Sequence, residues 1–192
     1  MVIGFIVMCL TCSVLNIFFL NKEKKRTFIL YSILIAVLNL IYLITTVYKG
    51  SLNISNYFDV FSINMLLYLA VCDITDMQLP VIAFAIYGAM GVVASFFGDF
   101  ISTIIFAVVI FIVLLLASKK SKEAIGQGDV FAIACVALFN STADTMSIVV
   151  ISLIISLLYG IINSIIRKTG MKTMVAYIPF LFIACYLIKL IY

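Results

Sequence analysis

Histidine and tryptophan are absent from the 192 residues, there are only two prolines, and charged residues make up 10% of the chain. Each scarcity excludes something. Without histidine there is no imidazole to ligate a metal or to carry a proton at neutral pH. Without tryptophan, an aromatic belt at a membrane interface falls to tyrosine. Soluble domains are about a quarter charged and about half apolar. Here apolar residues reach 66%, and the mean hydropathy is +1.34. A globule of this length cannot hide so much apolar surface from water. The composition excludes a cytosolic enzyme, a secreted disulfide scaffold and a nucleic-acid reader. It makes the lipid bilayer the solvent for most of the chain.

The apolar runs have helical rather than strand character. A transmembrane strand alternates polarity, and these runs do not. Polar breaks divide the chain into eight expected spans, near 1–20, 27–48, 57–75, 79–97, 100–117, 126–141, 146–166 and 174–192. The expected fold is all-α: a polytopic transmembrane helix bundle of about eight spans, one integral-membrane domain over residues 1–192. The sixth span has the shortest clean apolar stretch, Val130 to Phe139. Met1 to Leu20 lacks a basic leading segment, so it reads as a retained first span rather than a cleaved signal. Cys9 and Cys12 form a C-x-x-C inside that run, with no second pair to complete a zinc site of about four ligands. They and Cys72, Cys135 and Cys185 read as packing thiols.

Charge is distributed by side. Three breaks hold ten of the twelve basic residues: Lys22, Lys24, Lys25 and Arg26; Lys119, Lys120 and Lys122; and Arg167, Lys168 and Lys172. Eight spans put all three breaks on one face, which the positive-inside rule assigns to the cytoplasm, with both termini outside. Tyr48, Tyr57, Tyr177 and Tyr192 stand near span boundaries as candidate interfacial anchors.

Six of the eight acidic residues have bland positions. Glu23 and Glu123 sit among basic residues; Asp59, Asp99 and Asp144 mark outer ends of spans; Asp76 falls in a cytoplasmic turn. Asp73 and Asp129 do not fit. Asp73 lies in the apolar end of the third span, and Asp129 opens the sixth directly after Gly126-Gln127-Gly128. An ionisable group at membrane depth is a functional candidate by default. Both approach from the cytoplasmic side, with no basic residue beside them in the spans. Two carboxyls so placed suggest a shared proton, since like charges cannot both ionise cheaply. That is the arrangement of an aspartyl protease. Gly126 and Gly128 would let an extended peptide lie against the backbone beside Asp129. The plain alternative is a glycine-rich helix start with an aspartate near its cap.

Two motifs together are more specific. Asp73-Ile74-Thr75-Asp76-Met77-Gln78-Leu79-Pro80 is followed by Gly126-Gln127-Gly128-Asp129-Val130, and later by Tyr177-Ile178-Pro179-Phe180. Over residues 55–185 this pattern resembles the type IV prepilin peptidases and preflagellin peptidases, members of the Gly-x-Gly-Asp intramembrane aspartyl proteases. The resemblance implies Asp73 and Asp129 as the catalytic pair, with Gly126, Gln127, Gly128 and Pro80 at the substrate. It implies a membrane-embedded endopeptidase that removes the short basic leader of prepilin-like proteins at the cytoplasmic face of the plasma membrane. Water is the attacking group, so no metal or organic cofactor is implied. The zinc-binding insertion of the longer family members is replaced by Asn21–Arg26, so methyl transfer is not expected. Val81, Phe131 and Leu181-Phe182 stand where the family usually has other residues. The presenilin branch is a poorer match, because no Pro-Ala-Leu motif is present. Two other classes fit the same aspartates: a small proton-coupled transporter or channel, and a non-catalytic assembly subunit of the membrane.

Overall fold

A computed structural model describes residues 25–50, 53–75, 77, 79–120, 126–167 and 175–191. The expected first span, Cys9, Cys12, Asp76 and Tyr192 lie outside the described residues. Among the described residues there are seven helices and no strand: α1 (Lys25–Tyr48), α2 (Ile54–Thr75), α3 (Val81–Ser95), α4 (Phe100–Lys120), α5 (Gln127–Phe139), α6 (Thr142–Arg167) and α7 (Ile178–Ile191). Each falls on one of the apolar runs read from the sequence. The architecture is an all-α membrane bundle. Among the described residues three helices are long and apolar enough to cross a bilayer: α2, α4 and α6.

The helices differ in what surrounds them. α2, α5 and α7 form the centre, with Leu66, Leu69, Ala132, Val136, Leu181 and Ala184 fully or almost fully enclosed. α3 joins them through Ala83 and Tyr87. α4 and α6 stand outside, and only 6% of the α4 span is buried within the bundle. Ile101, Ile105, Val109, Ile112 and Leu116 of α4, with Leu157, Ile161 and Ile165 of α6, are exposed apolar side chains. Water would penalise that surface, whereas lipid tails do not.

Polar contacts tie the helices where lipid would otherwise leave groups unpaired. Asn39 of α1 and Asn64 of α2 exchange amide hydrogen bonds at 3.3 and 3.2 Å, and Tyr87 meets Ser62 at 2.7 Å. The end of the bundle holding Asp59, Asp99 and Asp144 has its own network. Lys189 of α7 pairs with Asp59 at 2.5 Å, and the Tyr42 hydroxyl donates to the same carboxylate at 3.0 Å. Lys49 donates to the last carbonyls of α7, those of Leu190 and Ile191. That is where a helix leaves acceptors open and favours a cation. Asp144 and Ser141 cap the start of α6 reciprocally, Ser141 Oγ donating to the carboxylate and accepting from the Asp144 amide. Such a box satisfies donors that a helix start leaves open.

Helix length sets the depth of the opposite end. α4 and α5 share the Asp59 end, where Phe97, Asp99, Ser102, Leu138 and Asn140 line one cavity. From there the 21 residues of α4 rise about 31 Å and the 13 residues of α5 about 20 Å, at about 1.5 Å per residue. The first turn of α5 therefore stops about 12 Å short of the end of α4. The helix spans Gln127–Phe139 within the 126–141 stretch expected from the sequence.

Close approach of α3 and α5 is set by Gly91. A Cβ there would stand 2.7 Å from Leu138 Cβ and 3.0 Å from a Phe139 ring carbon, so α5 could not pack as it does. Small residues serve helix contacts in membranes in this way. Gly160, on the other hand, has nothing within 4 Å of its would-be Cβ. Gly91→Ala is expected to destabilise the protein by about 1–3 kcal/mol, the usual cost of overpacking. Gly160→Ala is expected to stabilise it slightly, by up to about 1 kcal/mol, through helix propensity. Unfolding in detergent micelles, compared with the unmodified protein, checks both.

Candidate active site

Three helix ends converge at the end of the bundle opposite Asp59. α2 finishes at Thr75, two residues beyond Asp73; α5 starts at Gln127, two residues before Asp129; α7 starts at Ile178. Asp73 is 9% exposed. It stands in the last turn of α2, where the helix dipole and unpaired carbonyls disfavour an anion. The start of α7 offsets this. The Ile178 N–H donates to Asp73 Oδ2 at 3.2 Å, and the Tyr177 amide is also directed at the carboxyl. The sequence of α7 explains the free amide. Tyr177 accepts the first helical bonds, from Phe180 N at 3.0 Å and Leu181 N at 3.2 Å. Pro179 has no N–H, so it adds no orphan donor. Ile178 is left with a donor that needs a partner.

Asp129 occupies the first turn of α5, where the dipole favours a carboxylate. Gly126 is the cap of that helix, its carbonyl accepting from Asp129 N at 3.1 Å and Val130 N at 3.3 Å. The Asp129 side chain returns to the Gly126 amide. This closes a capping interaction of the kind expected for a helix start with an acid at its third position. A Cβ at residue 126 would lie 3.0 Å from Asp129 Oδ2, so a side chain there would press on the carboxyl.

Leu79 fills the space a Gly128 side chain would need: its Cδ1 and Cγ face that position. The residue before the motif proline therefore packs onto the glycine before the second aspartate, and the two motifs interlock. Asp73 and Asp129 are brought within electrostatic reach of each other. Neighbouring carboxyls in an apolar setting can share one proton.

The other residues singled out from sequence have different positions. Pro80 caps α3, with φ −69° and its carbonyl accepting from Ala83 N at 3.0 Å. Proline suits that place because its ring fixes φ near this value. Gln127 is exposed in the first turn of α5. Just ahead of Leu79 the chain turns through Met77 at φ 50°, an uncommon left-handed conformation for a side-chain-bearing residue. Among the described residues no group of three or more Cys, Asp or Glu side chains is gathered as a metal would need. Phe131 packs between Phe84 and Phe111, with ring centroids 5.9 and 5.2 Å away.

Tyr177 was expected as an interfacial anchor, but it turns inward. Its hydroxyl meets Ser152 of α6 at 2.5 Å, and the phenol is within electrostatic reach of Asp129. Neither Tyr177, Ser152 nor Leu79 was picked out as a site residue from the sequence. The one usable signal was the proline at the second position of a helix, which marks Ile178 as a helix start with an amide to spare.

A profile of the type IV leader peptidase family matches residues 60–161, a stretch that runs from α2 into α6 and contains both aspartates. No curated protein and no solved structure matches the chain. The match covers more than half of the sequence and includes the interlocked motifs, and the chain belongs to the type IV leader peptidase family.

Proposed function

We propose that the protein is a membrane-embedded aspartyl endopeptidase that removes the short basic leader of prepilin-like proteins at the cytoplasmic face of the plasma membrane. The observation that carries this reading is the approach of Asp73 and Asp129, 56 positions apart in the chain, to within electrostatic reach at one end of a lipid-facing bundle. Membership of a leader peptidase family supports the reaction class.

In this reading one carboxylate takes a proton from a water molecule as its oxygen attacks the scissile carbonyl. The other carboxyl, protonated, donates to the carbonyl oxygen as charge develops there. Collapse of the tetrahedral intermediate breaks the C–N bond, the proton held by the first carboxyl goes to the leaving amine, and the second carboxyl takes back the proton it gave to the oxygen as the new carboxylic acid forms. The peptide lies extended along Gly126-Gln127-Gly128, where the missing side chains permit close approach. The basic residues at this end, Lys119 and Lys120 closing α4 and Arg167 closing α6, favour a cytoplasmic placement.

A proton-coupled transporter would need a polar route from the aspartates to the opposite end. Leu66, Leu69, Val136 and Leu181, all fully enclosed, form an apolar layer between the two.

Asp73→Asn and Asp129→Asn are each expected to lower cleavage by at least about 100-fold, the lower bound for loss of a general acid or base. Asp76→Asn is expected to retain most activity. The assay is processing of a co-expressed prepilin-like protein, with N-terminal mass analysis and matched membrane levels. Substantial processing by either of the first two variants would contradict the reading.

A further inference from the structure

The start of α7 supplies amides to Asp73, and Tyr177 ties that start to a partner on another helix. Its hydroxyl is 2.5 Å from Ser152 Oγ, and Ser152 is fully enclosed. The direction of the bond follows from the available protons. Ser152 Oγ donates to the Val149 carbonyl at 2.8 Å. A serine hydroxyl has one proton, so Tyr177 is the donor and Ser152 the acceptor. With its proton committed to Ser152, the phenol has none to give to the nearby Asp129 carboxyl. Asp73 is met by the backbone amides of Ile178 and Tyr177. Two turns further along α6, Tyr159 packs on Phe180 of α7 with centroids 5.3 Å apart, a second contact between the same two segments.

We propose that Ser152 and Tyr177 form a positioning pair for the catalytic centre. Ser152 on α6 anchors Tyr177, and Tyr177 sets the first turn of α7 so that its amides orient Asp73 beside Asp129. This rests on the peptidase reading for its catalytic consequence, while its geometric content stands apart from it. A tyrosine and a serine buried together against lipid-facing helices are an expensive way to pack, since a phenylalanine would fill the same space without a hydroxyl to satisfy. Interhelical hydrogen bonds in bilayers contribute little to stability on average. Misplacement of reacting groups by about 1 Å, in contrast, can cost about 100-fold in rate. The pair is therefore expected to matter more for turnover than for folding.

The test uses Tyr177→Phe, Ser152→Ala, the double variant, and Ser152→Thr, which keeps a hydroxyl. Each of the first two is expected to lower kcat on a prepilin-like substrate about tenfold, an order of magnitude set by modest misplacement, with KM changed less than about twofold. The double variant should be no slower than either single one, as for two groups acting through one bond. Ser152→Thr should restore most of the rate, and unfolding temperatures in detergent should stay close to that of the unmodified protein. Unchanged kcat, or losses that multiply in the double variant, would overturn the proposal.

A second measurement needs no cleavage. The full-length protein in detergent is treated with dicyclohexylcarbodiimide, and labelling of each carboxyl is followed by mass spectrometry. Tyr177→Phe and Ser152→Ala should change the labelling rate at Asp73 or Asp129 by about threefold or more, in line with a lost orienting contact, and leave Asp59 unchanged. Identical rates at both aspartates would overturn the proposal. If the unmodified protein cleaves no prepilin-like substrate but the labelling shifts as expected, the peptidase reading fails and the positioning role stands.

Discussion

A carboxyl in the last turn of a helix, enclosed among apolar side chains, is held there against two penalties. The α2 dipole opposes a negative charge at Asp73, and burial removes the water that would solvate it. The Ile178 N–H, at 3.2 Å, offsets both. Much of the bundle is arranged around that contact. α7 starts at the level where α2 ends; Pro179 keeps competing donors away; and α6 reaches across to fix Tyr177. α5 brings its first turn, with Asp129, to the same end of the bundle.

The two ends of the bundle use charge differently. At one end Asp59 has a cation, Lys189, and a phenol, Tyr42, so its charge is balanced and structural. At the other end neither aspartate has a basic partner among the described residues; both are met by backbone amides. Amides orient a carboxyl without supplying a full opposite charge. A carboxyl pair held this way keeps the freedom to exchange a proton that a salt bridge would remove.

The helices were legible in the sequence because lipid demands long uninterrupted apolar runs, and polar breaks mark their ends. The two aspartates were legible for the complementary reason: a lone acid in such a run is costly unless it has work to do. The interlock of Leu79 with Gly128 was not legible, since an apolar residue beside a proline carries no mark of its partner. Tyr177 followed a basic break and had the pattern of an interface anchor; only the three-dimensional path of α6 shows that its hydroxyl points inward to Ser152. Pro80 was assigned to the substrate by resemblance, while its visible task is to start α3. The depth of the site depended on comparing α5 with α4, and helix boundaries are the least certain part of a sequence reading.

The central claim is that two distant motifs bring their carboxyls within electrostatic reach of each other. A thiol cross-link tests it without reference to substrate. In a background with the five native cysteines replaced, the Asp73→Cys/Asp129→Cys double variant is treated in isolated membranes with a short bis-methanethiosulfonate reagent, with Asp59→Cys/Lys189→Cys, a pair joined by an ion pair, as the positive control. The reagent bridges thiols several ångströms apart, so it does not need the Cα atoms within about 7 Å that a direct disulfide demands. Efficient cross-linking of both pairs is the result the account predicts. Cross-linking of the control pair alone would contradict it.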